Sequence, residues 1–325
     1  MKKNLVTVCI TTYNRKERLL LTLKSILAQS YKYLEIIIVD DFSNDGTKSF
    51  VEKKLLKLDK RIKYIRHNLN KGLSAARNSA IFNSRGKYFT FCDDDDLWTI
   101  NFIEEFVTIA SKYDHDWLFC CGSKYKNFLG INIETTLDYE GGLKNFVKEG
   151  YTPPVASQFY NLSSLKKIRG YNEDIKSGVD HDLWIRLAKI DINIRYIPKV
   201  LSIPNVNSND MRMTTNYKKR INGIKNSLLL WKNDLINMYG NEFYLNFCNA
   251  YIHREQSKLL SINLNNLNIK NLSSIKKNIS LVTFFKNMLI LLTKKILQII
   301  IPTIFIINKK SLTIQPSLKI KKILK

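Results

Sequence analysis

Acidic residues are scarce in this chain: 28 Asp and Glu stand against 52 Lys and Arg, a formal net charge of +24 over 325 residues. The scarcity is complete at one end, where residues 256–325 carry 13 lysines and no Asp or Glu. Such an excess asks for an anionic partner, which could be nucleic acid, an anionic membrane surface or a phosphorylated substrate. Nucleic acid is disfavoured: there is no zinc-finger spacing and no helix-turn-helix signal, and the basic excess lies behind a carboxylate-rich stretch that would repel phosphates without metal. Cysteine is sparse too. Cys9, Cys92, Cys120, Cys121 and Cys248 form no C-x-x-C pair, and four of them sit in strand-like apolar runs, so they read as reduced core residues of a cytosolic protein. The N-terminal Met-Lys-Lys-Asn leads into a short β-rich run without a signal-peptide apolar region or cleavage site, which points to the cytoplasm. No apolar run reaches the ~20 residues needed to span a bilayer. The longest in the tail, 296–307, has about 12 residues and includes Gln298 and Pro302, which fits a segment lying on a membrane surface.

What is present is a globular composition, 45% apolar and 25% charged, which excludes disorder of the whole chain. The first third alternates strand and helix signals, the pattern of an α/β layer with a largely parallel sheet. Apolar runs at Leu5–Thr11, Leu34–Val39, Ile62–Ile65, Tyr88–Cys92 and Trp117–Cys121 predict strands. Helical spacing covers Leu19 to Leu27, Gly72–Ser84 and Asn101–Lys112. In such sheets a ligand sits beyond the carboxyl ends of the strands, so the residues after each run carry the chemistry.

Those residues form a coherent set. Thr11-Thr-Tyr-Asn-Arg15 follows the first run, Asp40-Asp-Phe-Ser-Asn-Asp-Gly46 the second, Asn68 to Arg77 the third, and Asp93 to Asp96 the fourth. A nucleotide would use an aromatic such as Tyr13 for its base, a carboxylate such as Asp41 for a base N–H, and Arg77 for base or phosphate. Taken singly, Asp40 to Gly46 could equally be an Asx turn and Asn70-Lys-Gly72 a glycine turn. The Asp quartet is costly at the end of a buried strand unless a cation neutralises it. Oxygen ligands suit Mg2+ or Mn2+, which bind through one or two carboxylates plus phosphate oxygens. The alternative is a solvated acidic start to the helix that follows.

These pieces resemble family 2 glycosyltransferases with the GT-A fold, a Rossmann-like nucleotide-binding sheet with helices on both faces. The matching stretches are Val8-Cys-Ile-Thr-Thr-Tyr-Asn-Arg15, Ser25 to Ser30, Ile38-Val-Asp-Asp-Phe-Ser-Asn-Asp-Gly-Thr47, Asn70-Lys-Gly-Leu-Ser-Ala-Ala-Arg-Asn-Ser79 and Phe91-Cys-Asp-Asp-Asp-Asp-Leu-Trp98, in family order across residues 4–98. The resemblance implies that Thr11, Tyr13, Asp41 and Arg77 bind the nucleotide, with Asp93-x-Asp95 on the D-x-D motif and Asp95 the metal ligand for Mn2+ or Mg2+. It implies a nucleotide-sugar donor, with a lean to uracil. Two positions depart from the pattern. Phe42 stands where the family usually has Gly, at the wall near the base, and Asp94 adds a carboxylate, so Asp93 and Asp94 compete for the ribose-contacting role.

The second region, from about Ser123 to Asn207, is expected to shape the acceptor site. Val179-Asp-His-Asp-Leu-Trp-Ile-Arg-Leu-Ala188 places Asp180, His181 and Asp182 at the start of a helix, where Asp is a good cap. The resemblance assigns the general base to Asp180, with His181 or Asp182 as alternatives; Val179 replaces the Glu that often precedes it. Transfer is then expected in one inverting displacement, metal-dependent, to a hydroxyl of a glycan or lipid-linked acceptor. A nucleotidyltransferase would want a Gly-rich loop after the first strand, which is lacking here. A catalytically inactive GT-A scaffold for membrane polysaccharide assembly is the other reading, opposed by intact Asp95 and Asp180. The expected organisation is a catalytic domain at 1–210 (1–122 for donor, 123–210 for acceptor), a helical region at 211–273, and a membrane-associating tail at 274–325. That tail would make a cytoplasmic enzyme peripheral to the inner face of the membrane.

Overall fold

The computed structural model describes residues 4–113, 117–126, 132–148, 154–204, 217–252 and 312–313. β1 (Val6–Thr12) and β2 (Leu34–Asp40) are buried at every position, as strands flanked by neighbours and covered on both faces must be. β3 (Ile62–Arg66) and β4 (Tyr88–Phe91) complete a parallel half in the order β3-β2-β1-β4. Its connections are α1 (Lys16–Leu27), α2 (Thr47–Lys53) and α3 (Leu73–Asn83). α1 buries Leu19, Leu23 and Ile26 along one face, which is the amphipathic spacing read from the sequence.

Beyond β4 the chain runs through β5 (Leu97–Trp98), α4 (Phe102–Ala110), β6 (Trp117–Lys126), β7 (Asn132–Thr135), β8 (Tyr139–Gly142) and α5 (Leu143–Lys148). It continues as β9 (Gln158–Asn161), α6 (Leu162–Lys167), α7 (Val179–Lys189) and β10 (Asn193–Ile203). Here the sheet departs from a purely parallel order. β9 lies between β4 and β6 and is antiparallel to both, while β10 runs parallel to β6 with register shifts between Ile197 and Ser202. All four residues of Gln158-Phe-Tyr-Asn161 are buried, so no alternation marked them as a strand. Their burial is aromatic: Phe106 stacks on Phe159 with ring centroids 5.1 Å apart, and Trp98 stacks on Phe102 at 4.1 Å.

Among the described residues the chain forms two compact units, one of 4–175 with 179–204, the other of Lys176–Gly178 with 217–252. In the second, α8 (Tyr217–Tyr239) buries Ile224, Leu228, Trp231 and Leu235, and the chain is helical again over 241–252 after Gly240. The Ser227 hydroxyl donates to the Ser177 carbonyl at 2.7 Å, and Trp231 meets Tyr251 edge-on. The helical region expected at 211–273 is described only over 217–252, and the expected membrane-associating tail lies outside the described residues, apart from Leu312 and Thr313. Among the described residues no helix is long and apolar enough to cross a membrane. Cys9, Cys120 and Cys121 on strands and Cys92 just after β4 are buried and form no disulfide, and burial pushes their thiols far above the usual range, which makes them inert core residues.

Candidate active site

Because β1 to β4 are parallel, the loops after them gather along one edge of the sheet. The Asp quartet turns there, with the Asp96 amide donating to the Asp93 carbonyl at 3.0 Å. Its members face different partners. Asp94 is 3% exposed and accepts from the Thr12 hydroxyl at 2.7 Å and from Arg15 Nη1 at 2.9 Å. Burial pushes its carboxyl up to about 6, with Arg15 and Thr12 pulling the other way and losing. Asp95 faces two guanidiniums, Arg15 at 3.5 Å and Arg18 at 3.4 Å. Asp96 instead presents its carbonyl to the Thr22 hydroxyl, at 2.9 Å. Sequence reasoning expected a cation to neutralise the quartet; in the described structure part of that role falls to arginines at the start of α1. Their three-residue spacing, Arg15 and Arg18, was the available signal.

Asp93 belongs to a second cluster. Arg77, in α3, is 1% exposed and donates through Nη2 to Asp93 at 3.1 Å and through Nη1 to Asp180 at 2.7 Å. Its guanidinium lies against the rings of Phe91 and Tyr171, 5.3 and 5.1 Å from their centroids. The Tyr171 hydroxyl reaches Asp180 Oδ1 at 3.3 Å. Tyr171 is itself held by Asn78, whose side-chain amide exchanges hydrogen bonds with the Tyr171 amide at 2.7 Å and carbonyl at 2.9 Å. Gly170 precedes it with φ +68°, and a Cβ there would run into the Asn78 amide oxygen.

Asp180 occupies the first turn of α7, where a carboxylate is favoured by the helix dipole. Its side chain remains 35% exposed, with its bonds to Arg77 and Tyr171 both on Oδ1. Asp182 is placed otherwise: 4% exposed and bonded to Arg186 Nε at 2.7 Å, whose Nη1 in turn donates to the Ile168 and Gly170 carbonyls. That acid shapes the turn under Tyr171. His181 lies between them, half-buried.

At the other end of the edge, Asp41 is 5% exposed and accepts from the backbone amides of Lys71 and Gly72 at 2.8 and 2.7 Å. His67 Nδ1 lies 2.7 Å from Asp41 and its Nε2 is 2.8 Å from the Ser79 hydroxyl. Asp41 therefore folds the loop after β3 onto the sheet edge. Thr11 is buried on β1, opposite Val39, while Tyr13 is 47% exposed.

The donor set at Asp93 to Asp95 is all oxygen and suits a hard divalent cation. Among the described residues no three His, Cys, Asp or Glu converge to hold an ion by themselves. A cation at Asp95 would therefore draw further ligands from a diphosphate, as Mg2+ sites commonly do, and would compete with Arg15 and Arg18 for the same carboxylate.

Comparison with known proteins agrees with this architecture. The mannosyltransferase PcManGT of Pyrobaculum calidifontis, solved with GDP-Man and Mn2+, superposes with a TM-score of 0.58 at 18% identity over 93% of this chain and 82% of that one. The fold is that of the GT-A glycosyltransferases. Residues 7–160 match the family described as Glycosyl transferase family 2, and that region belongs to the family. The GalNAc(5)-diNAcBac-PP-undecaprenol beta-1,3-glucosyltransferase of Campylobacter jejuni is 33% identical over 190 residues, 57% of this chain and 60% of that protein. The UDP-Glc:alpha-D-GlcNAc-diphosphoundecaprenol beta-1,3-glucosyltransferase WfaP of Escherichia coli is 44% identical over 94 residues, 29% of this chain and 36% of that protein. The chain thus spans less than two thirds of either glucosyltransferase.

Two outcomes are expected from this geometry. Arg77→Lys keeps a positive charge but cannot serve two carboxylates and two rings at once, so it should lower stability by roughly 2 kcal/mol or more, read as a shifted urea midpoint. An unchanged midpoint would mean that the bridge holds nothing. Asp94 titrates higher folded than unfolded, so its contribution is fully present below its ordinary value near 4 and is lost as pH rises through about 6. Without divalent cation, Asp94→Asn should remove that part of the stability loss between about pH 4 and 6, measured by denaturant unfolding across pH.

Proposed function

We propose that the protein transfers a sugar from a nucleoside-diphosphate donor, a UDP-sugar, to a hydroxyl of a lipid-linked glycan, with inversion at the anomeric carbon. The observation that carries this reading is the double grip of Arg77, which ties a carboxylate of the D-x-D stretch to a partly exposed acid on a different element. Donor-side charge and a candidate base are thereby brought to one place. The donor and acceptor classes follow the names of the two glucosyltransferases, which act on undecaprenol-diphosphate-linked sugars, one of them with UDP-Glc.

In this mechanism Asp180 accepts the proton of the acceptor hydroxyl as it attacks the face opposite the leaving group. Arg77 and Tyr171 hold Oδ1 and so orient the carboxylate, while the 35% exposure of its side chain admits the acceptor. Asp182 is spent on Arg186 and does not compete for the role. Thr11, Tyr13, Asp41 and Arg77 bound the donor site. Between the two candidates for the ribose, Asp93 is 34% exposed and Asp94 is buried against Thr12 and Arg15, which favours Asp93 for the contact. Asp95, with Asp93 or Asp94 beside it, would hold Mn2+ or Mg2+, which when bound stabilises the charge developing on the leaving diphosphate, a contribution of several kcal/mol. Arg15 and Arg18, released from Asp95, would lie ready for phosphate oxygens.

Asp180→Asn should lower turnover by roughly 10²- to 10⁴-fold while donor binding stays near wild type. Asp95→Asn should abolish Mn2+-dependent binding of UDP in calorimetry and leave the protein folded. Near-normal turnover in the first variant would move the base elsewhere, and unchanged Mn2+-dependent binding in the second would remove Asp95 as ligand. The acid-free, lysine-rich end of the chain supports a peripheral position on the inner leaflet, since each lysine near an anionic surface contributes about 1 kcal/mol. Truncation after Ser273 should abolish sedimentation with anionic vesicles at low salt and spare donor hydrolysis; full-length protein that ignores such vesicles would end the membrane reading.

A further inference from the structure

Phe42 follows β2 and Asp41 with φ +70°, a conformation that a bulky L side chain rarely adopts. Its ring is 45% exposed, so the strain secures no place in the core. A glycine would reach the same conformation without cost, and glycine is the residue the family resemblance places here. Strain of this kind persists where the surroundings hold it and is concentrated at ligand sites. The surroundings do hold it. Arg66 lies over the Phe42 ring, 5.3 Å from its centroid, while the same guanidinium bonds to the Asp40 carboxylate and donates to the Ser43 carbonyl.

The neighbouring loop is stitched to this one. The Asn14 amide donates to the Ser43 hydroxyl at 2.8 Å, and the Asn44 amide donates to the Asn14 side-chain oxygen at 2.7 Å. Tyr13 and Phe42 therefore stand on two tied loops at the same sheet edge, both rings substantially exposed. Asp41, next to Phe42 in sequence, is turned inward on the amides of Lys71 and Gly72, which leaves flat apolar surface rather than a hydrogen-bonding group in the open.

We propose that Phe42, backed by Arg66, is a base-stacking residue that with Tyr13 holds the planar nucleobase of the donor, and that its strained backbone is retained for that purpose. The inference rests on the nucleotide-sugar reading. It deepens that reading by naming a second aromatic contact to the base, at a position where a glycine could supply none. Stacking recognises a π-face and not a pattern of donors and acceptors, so Phe42 contributes affinity for the nucleoside part and none for the diphosphate.

The experiment is calorimetry on the full chain with UDP, GDP and inorganic pyrophosphate in Mg2+, for wild type, Phe42→Gly and Phe42→Tyr, with thermal melts of each. Phe42→Gly should weaken whichever nucleoside diphosphate the wild type binds by roughly 5- to 100-fold. Pyrophosphate binding should be unchanged and the melting temperature equal or higher, because the strain is gone. Phe42→Tyr should restore the affinity. Wild-type affinity for the nucleotide in Phe42→Gly would overturn the proposal. So would a parallel loss of pyrophosphate binding with a lower melting temperature, which would make the ring a prop of the loop. Wild-type protein that binds neither UDP nor GDP would instead overturn the nucleotide-sugar reading on which the proposal stands.

Discussion

A single buried guanidinium organises this molecule. Arg77 is withdrawn from water, which costs several kcal/mol for an ion without compensation, and the site around it supplies the compensation: two carboxylates, a tyrosine hydroxyl and two aromatic rings. The match is incomplete, since Nε is buried with no hydrogen-bond partner. A fold optimised only for stability would replace such a group by packed apolar side chains. What the arginine provides in return is a fixed relation between the end of β4 and the first turn of α7, so that Asp93 and Asp180 share one cation. A change of charge at Asp93 is felt at Asp180 through the guanidinium between them.

The rest of the edge follows the same logic of charge. The chain as a whole is poor in acid, yet it sets four aspartates side by side and buries two of them. Arg15 and Arg18 offset part of the cost, but burial still holds the Asp94 carboxyl above its ordinary value. A site so arranged is closest to balance when a further cation arrives with an anionic ligand, and the guanidiniums that cover Asp95 can turn to that ligand when displaced. Phe42 is the conformational counterpart: a strained residue with an exposed ring, held by an arginine that is itself anchored to the buried Asp40. Both features lower stability locally, and both lie on the loops that follow the parallel strands.

Local pattern was enough for much of the fold. The strands ending at Thr12, Asp40, Arg66 and Phe91 and the helices that join them were legible because a buried strand is a short β-branched run and a covering helix repeats every three to four residues. The alternation of the two implied a parallel sheet, and hence which ends carry chemistry. The quartet, Tyr13, Asp41, Arg77 and Asp180 were all visible as residues after an apolar run or at a helix start. β9 was not, because a strand buried on both faces has no alternation, and its place beside β4 depends on a pairing across about seventy positions of sequence.

What each site residue touches was decided only by the tertiary structure. Arg77 and Asp180 are 103 positions apart, and nothing near either shows that they meet. The same holds for Asp41, whose carboxylate accepts from the backbone amides of Lys71 and Gly72 on the loop after the next strand. Of the acids at the start of α7, the sequence marked both Asp180 and Asp182 as caps. Packing separated them, burying Asp182 against Arg186 and leaving Asp180 partly open beside Arg77. Composition and spacing determined which side chains reach the edge of the sheet, because those are properties of neighbours along the chain. Which of them are spent on one another and which remain for a ligand depends on burial and on partners brought from distant segments, and only the folded chain assigns those.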